Sequence, residues 1–131
     1  MGRTPLHYAA HEGDAERVRQ LLASGLTADA ADDNGWTPLH FAAQSNAAAV
    51  TDLLLKAGAS VEMRDVHGNT PLFTAVFNSR GNGEIVQLLR NCGADPYVQN
   101  NHGVSPLRLA RTIDNFDVRR FFDDLPEGSD G

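Results

Sequence analysis

The chain has a single cysteine, Cys92, among its 131 residues, which excludes an intramolecular disulfide and a thiolate metal cluster. Placed beside Leu88 and Leu89 near a predicted helix end, that thiol is expected to be a small buried filler rather than a reactive group. No apolar run approaches the roughly 18 residues that a membrane span requires. No basic segment followed by an apolar stretch marks a signal peptide. A cytoplasmic protein without membrane contact is the expectation. Basic residues are also scarce: 11 Lys and Arg against 17 Asp and Glu give a net charge of −6. That balance argues against nucleic acid, whose binding rests on neutralising phosphates, and suits a partner with a basic surface. Catalytic signatures are missing too, with no glycine-rich phosphate loop and no Gly-x-Ser-x-Gly elbow. No enzyme activity, cofactor or catalytic residue is expected. The remaining composition, 41% apolar and 21% charged, is that of an ordinary globular domain.

What the chain does have is one phrase in four versions: Thr4-Pro5-Leu6-His7-Tyr8-Ala9-Ala10, Thr37-Pro38-Leu39-His40-Phe41-Ala42-Ala43, Thr70-Pro71-Leu72-Phe73-Thr74-Ala75-Val76 and Ser105-Pro106-Leu107-Arg108-Leu109-Ala110-Arg111. The first three begin 33 residues apart and the fourth follows after 35. A fixed period of this length means one supersecondary unit stacked four times. Each Thr/Ser-Pro pair reads as a helix start, with the hydroxyl capping first-turn amides and proline at a position whose amide would be unsatisfied anyway. First helices are predicted over Leu6–Glu12, Leu39–Ser45, Leu72–Asn78 and Leu107–Ile113. Second helices are predicted over Ala15–Ser24, Ala48–Ala57, Glu84–Asn91 and Phe116–Leu125, where apolar residues recur at helical spacing. The polar stretches Asp32-Asp33-Asn34-Gly35, Asp65-Val66-His67-Gly68 and Asn100-Asn101-His102-Gly103 read as tight hairpin tips.

Gly-x-Thr-Pro-Leu-His-x-Ala-Ala, a Leu-Leu helix, and Gly-Ala-Ser or Gly-Ala-Asp after it resemble the ankyrin repeat, from Gly2 to about Leu125. The resemblance implies an all-α solenoid of helix-turn-helix units joined by β-hairpin fingers. The implied repeats cover about 1–31, 32–64, 65–99 and 100–125, with a polar, frayed tail over 126–131. First helices would line a concave face, second helices the convex back. Arg17, where the family usually places an aliphatic residue, fits a polar capping repeat, and the charged last helix fits the opposite cap. With both ends capped, the chain is expected to be self-contained. Two extra residues within Asn78–Gly83 read as a tolerated loop extension rather than a contact.

Family members overwhelmingly bind other proteins through fingers and concave face, and the resemblance implies a non-enzymatic interaction module, expected to be monomeric. The last repeat is similar to those of small stand-alone bacterial ankyrin proteins, some of which are immunity proteins that inhibit a toxin. The alternative is a structural, self-associating scaffold. Trp36, between the finger glycine and Thr37, either meets a partner or packs on the adjacent finger. By stacking register, Tyr8 and Phe41 share one column of the inner helices, His11, Gln44 and Phe77 the next, and Glu12 lies in a third. Tyr8 and Phe41 serve either as contacts or as plugs between repeats, and Phe77 is the more exposed. The tips add Asp33, Asn34, His67, Asn69, Asn101 and His102, with Asp33 and Glu12 giving an acidic edge able to accept Arg or Lys. His7 and His11 stand four apart, a spacing that can serve a metal. The resemblance instead implies that His7 and His40 bond into the neighbouring finger's backbone, and no metal site is expected.

Overall fold

A computed structural model describes residues 2–113 and 118–126. Seven α-helices follow one another among these residues: α1 Pro5–Glu12, α2 Ala15–Ala23, α3 Pro38–Gln44, α4 Ala48–Lys56, α5 Pro71–Phe77, α6 Glu84–Asn91 and α7 Pro106–Thr112. A 3-10 helix over Arg119–Phe122 closes the series. None of the α-helices exceeds nine residues, too short to persist alone in water, so tertiary packing must hold them. None is long and apolar enough to cross a membrane.

The helices form two layers. In the inner layer α1 packs on α3, α3 on α5 and α5 on α7; in the outer layer α2 packs on α4 and α4 on α6. The leucine of each repeated phrase (Leu6, Leu39, Leu72 and Leu107) is fully buried between neighbours. Removing a leucine side chain from water contributes about 1.5–3 kcal/mol. The small residues Ala9, Ala10, Ala42, Ala43 and Ala75 are also buried, and their size lets neighbouring inner helices approach. Val18, Val50, Leu54, Val86 and Leu89 fill the space beneath the outer layer.

The helix starts follow from the phrase itself. Thr37 Oγ1 accepts the His40 amide at 3.4 Å and Ser105 Oγ accepts the Arg108 amide at 3.1 Å, satisfying first-turn donors. The fingers are plainer than the hairpins expected from sequence, for no strand occurs among the described residues. Each tip is a turn held by two backbone bonds. In the first, Gly35 N–H donates to Asp32 C=O and Asp32 N–H to Trp36 C=O, both at 2.9 Å. Successive tips stack through single backbone bonds, Val66 N–H to Asn34 C=O at 3.0 Å and Asn101 N–H to His67 C=O at 2.9 Å. One bond per step is too few to make a ladder. Glycine is required at position 35 twice over: φ is 76°, and a Cβ there would lie 2.8 Å from Asp65 Cα.

Two other expectations change, and a third gains a detail. Cys92 is exposed, because it caps α6 on the outside of the turn while Leu89 and Ala94 take the buried places. The last repeat has a 3-10 turn in place of the predicted second helix; Phe116 and Asp117 of that prediction lie outside the described residues, as do residues 127–131 of the predicted frayed tail. The Asn78–Gly83 segment, expected to be a loop extension, also packs within the chain. A Cβ on Gly83 would stand 2.3 Å from the Phe121 ring, and Arg120 Nη2 donates to Gly81 C=O at 3.2 Å. The loop is a seat for the C-terminal turn. Arg90 completes that seat, donating to Asp124 at 2.7 and 2.9 Å and to Phe121 C=O at 3.0 Å. This bidentate pair holds the Asp124 carboxyl below its ordinary range and raises Arg90 further.

Candidate functional site

Two kinds of tie align the fingers above the inner helices. The first is a histidine bracket. His7 Nδ1 accepts the Thr4 amide at 2.9 Å, and Nε2 faces Trp36 C=O at 2.8 Å. His40 repeats this with the Thr37 amide at 3.2 Å and Asn69 C=O at 3.0 Å. An acceptor at Nδ1 and a carbonyl at Nε2 select the Nε2–H tautomer. Both nitrogens of His7 are thereby occupied, which removes it from the His7–His11 pair as a metal ligand. Burial pushes the His40 pKa down, outweighing the Asn69 carbonyl and the charges of Asp65 and Asp32, which act upward.

Of the second tie, the sequence suggested only the packing of Trp36 on the adjacent finger. The residue before each Thr-Pro reaches the first residue of the next tip: Arg3 Nε to Asp32 at 3.3 Å, Trp36 Nε1 to Asp65 at 3.0 Å, and Asn69 Oδ1 from Asn100 Nδ2 at 2.8 Å. The same tip residues organise their own turns. Asp32 Oδ1 accepts the amides of Asn34 and Trp36, and Asp65 Oδ1 those of His67 and Asn69, all at 2.9 Å. Burial would raise the Asp32 pKa, but the Trp36 and Asn34 amides and Arg3 together hold it below the ordinary value. The signal was present in the sequence, since a polar or indole N–H group precedes Thr-Pro at 3, 36 and 69 and an Asp or Asn opens each tip at 32, 65 and 100. It pairs residues 29 to 31 positions apart, a distance that no local pattern reveals.

Between fingers and inner helices these ties frame two adjoining cavities. The first, about 460 Å³, is lined by Arg3, His11, Asp32, Asn34, Trp36, Phe41, Gln44, Asp65, Val66, His67 and Asn69. The second, about 230 Å³, is lined by Trp36, Gln44, Asn69, Phe73, Thr74, Phe77 and Asn78. Trp36, Gln44 and Asn69 border both, so the two form one groove with the indole at its middle. The indole is half-buried, its centroid 4.9 Å from that of Phe41 in an edge-on contact and 5.5 Å from that of the tilted His40 ring. Bracing is therefore part of its role, and its remaining surface faces the groove.

The candidate residues divide accordingly. Phe77 is 67% exposed on the second cavity. His11, Gln44, Asn34 and His67 are exposed along the groove, and Asn69 is half-buried there. Phe41 is buried, at 5% exposure: it is a plug, packed by His7, His11 and Trp36 with the Arg3 guanidinium 4.8 Å above it. Tyr8, 53% exposed, and Glu12 lie on the inner face beyond both cavities. Asp33, Asn101 and His102 are exposed at the tips and do not themselves line the groove. Asn101 there serves stacking, since its Nδ2 donates to Val66 C=O at 3.0 Å. Arg3 and Phe73 line the groove without having been anticipated. Arg3 sits outside the repeated phrase, and Phe73 stands where the first two copies of the phrase have the structural histidine.

Comparison with known families places a model described as ankyrin repeats (three copies) on residues 1–65 and one described as ankyrin repeat on residues 67–101. No curated protein matches the chain.

Proposed function

From the premise that this chain belongs to the ankyrin repeat family, whose members generally act in protein–protein interaction, we propose that it binds a partner protein along the Trp36–Phe77 groove. The observation that carries this reading is the groove's composition. An indole and the exposed Phe77 ring offer rigid apolar area of the kind that dominates binding energy. Around them Gln44, Asn34 and His67 are exposed, with side-chain polar groups available to a partner. Because the ties described above already fix the groove, docking loses little ordering entropy. Ankyrin repeat domains are typically non-enzymatic binding modules, and the role proposed for this groove is binding.

Inhibition by occlusion is the mechanism that suits such a rigid face: the partner's own site would be covered, without chemical change. The acidic balance of the chain favours a partner with a basic surface. Capture from source cells on immobilised wild-type protein, compared with Phe77→Ala/Gln44→Ala, tests the reading. A partner retained by the wild type and lost by the variant supports it. Equal retention, with both proteins folded, refutes it.

A further inference from the structure

The second cavity is walled by aromatic rings, those of Trp36, Phe73 and Phe77. Phe73 stands there at a cost to the fold. The first two copies of the phrase have histidine at this position, and without a ring nitrogen here Thr70 Oγ1 is buried with no hydrogen-bond partner. A local rule broken beside a cavity marks a side chain that serves something other than stacking. At about 230 Å³ the cavity has room for one long side chain, and it falls below the roughly 300–1,000 Å³ of pockets for drug-sized ligands.

No Lys, Arg, Asp, Glu or His lines the second cavity; the charges lie in the first. There Arg3 is answered by Asp32 at 3.3 Å, whereas Asp65 has no cation in ion-pair contact among the described residues. Its carboxylate accepts only neutral N–H groups, the His67 and Asn69 amides and the Trp36 indole at 3.0 Å. His11 and His67, the other ionisable side chains of the first cavity, are exposed to solvent. An unanswered negative charge therefore sits on the N–H edge of the ring at the middle of the groove, and it adds to the attraction of the indole face for a cation. The polar atoms of the second cavity agree. Asn78 directs its side-chain N–H to Thr74 C=O at 2.9 Å, leaving Oδ1 as an acceptor, and the Thr74 hydroxyl donates to Thr70 C=O at 3.5 Å. Gln44 is exposed at the border of both cavities, where its amide oxygen can turn inward. Only Asn69 has its side-chain oxygen engaged, by Asn100.

We propose that the second cavity takes an arginine side chain of the protein partner, its guanidinium against the Trp36 and Phe77 rings and Asp65 its counter-charge at the indole edge. This rests on the protein-binding reading of the groove and gives that reading its selectivity. An apolar anchor would leave Asn78 Oδ1 without a donor and Asp65 without a counter-charge, and an acidic anchor would add a like charge. Lysine would bring the charge alone. A guanidinium is planar, stacks on aromatic faces, is more weakly hydrated and offers five donors to the surrounding acceptors. The net charge of −6 steers such a group toward the chain.

An NMR titration of the full chain with N-acetyl-arginine amide tests it, read at the indole N–H of Trp36, the only tryptophan. The citrulline and leucine analogues are titrated beside it. Citrulline keeps the length and the planar end and loses the charge; leucine keeps only apolar bulk. Arginine should shift the Trp36 signal saturably and bind at least about fivefold tighter than either analogue. Phe77→Leu keeps apolar bulk at an exposed position and removes the ring face. It should weaken arginine by about threefold to tenfold and leave leucine unchanged. No saturable shift with arginine overturns the proposal, and so does equal binding of citrulline or leucine. If partner capture still depends on Phe77 and Gln44 in that case, the groove binds protein through another anchor and the arginine alone is wrong. If Phe77→Ala/Gln44→Ala retains the captured partner as well as the wild type does, the groove's role fails and the arginine assignment falls with it.

Discussion

At the scale of single residues, His40 makes the most direct prediction. Its ring is buried with Nδ1 accepting and Nε2 donating, so an added proton at Nδ1 would face the Thr37 N–H. Burial disfavours the charged ring, and the folded pKa lies below the ordinary 6.5. Between those two values the unfolded chain binds more protons than the folded one, so stability rises with pH across that window. It should be complete above about pH 6.5 and fall as the pH drops below it. Urea denaturation between about pH 5 and pH 8 checks this, and His40→Gln should flatten the slope. Asp32 contributes in the same direction at lower pH, since its depressed pKa gives stability that is lost as the carboxylate protonates. Trp36→Phe keeps an aromatic ring against Phe41 but removes the donor to Asp65. A loss of about 1–3 kcal/mol is expected for a buried acceptor deprived of its donor, and unchanged denaturation would show the indole bond to be idle.

At the scale of elements, the outer layer and the C-terminal turn carry separate predictions. Leu54 is fully buried in α4, and Leu54→Ala should destabilise by about 2–5 kcal/mol. Gly83→Ala places a methyl into the Phe121 ring and should cost about 1–3 kcal/mol by overpacking. In a Phe121→Ala background the same change should cost far less, and an additive double mutant would refute the seat assigned to that ring. The contrast with sequence is instructive here. Helix starts were legible because Thr-Pro acts within four residues. The histidine bracket was legible through the family resemblance. The Gly83–Phe121 contact joins residues 38 apart, and nothing in the loop's own composition points to its cover. Cys92 was misplaced for a related reason: nearness to Leu88 and Leu89 in sequence does not decide which side of a helix end faces the core.

At the scale of the whole molecule, stacking converts a short phrase into a continuous inner core, and the fingers and inner helices leave a groove where they meet. The phrase determines that scaffold and little of the groove. Trp36, Gln44 and Phe77 were readable as variable positions on the exposed side of the repeat. Phe41 was an even choice in sequence and proves buried, because whether an aromatic plugs or projects depends on the gap left by its neighbours. A self-associating scaffold would bury Phe77 against a second copy. Light scattering at micromolar concentration distinguishes the two, with a monomer expected. The most direct test of the groove is the dissociation constant of a captured partner for the wild type and for Phe77→Ala/Gln44→Ala, with denaturation of both measured in parallel. The account predicts affinity weakened by at least about tenfold at nearly unchanged stability. Equal affinity in a variant that folds as well as the wild type would contradict it.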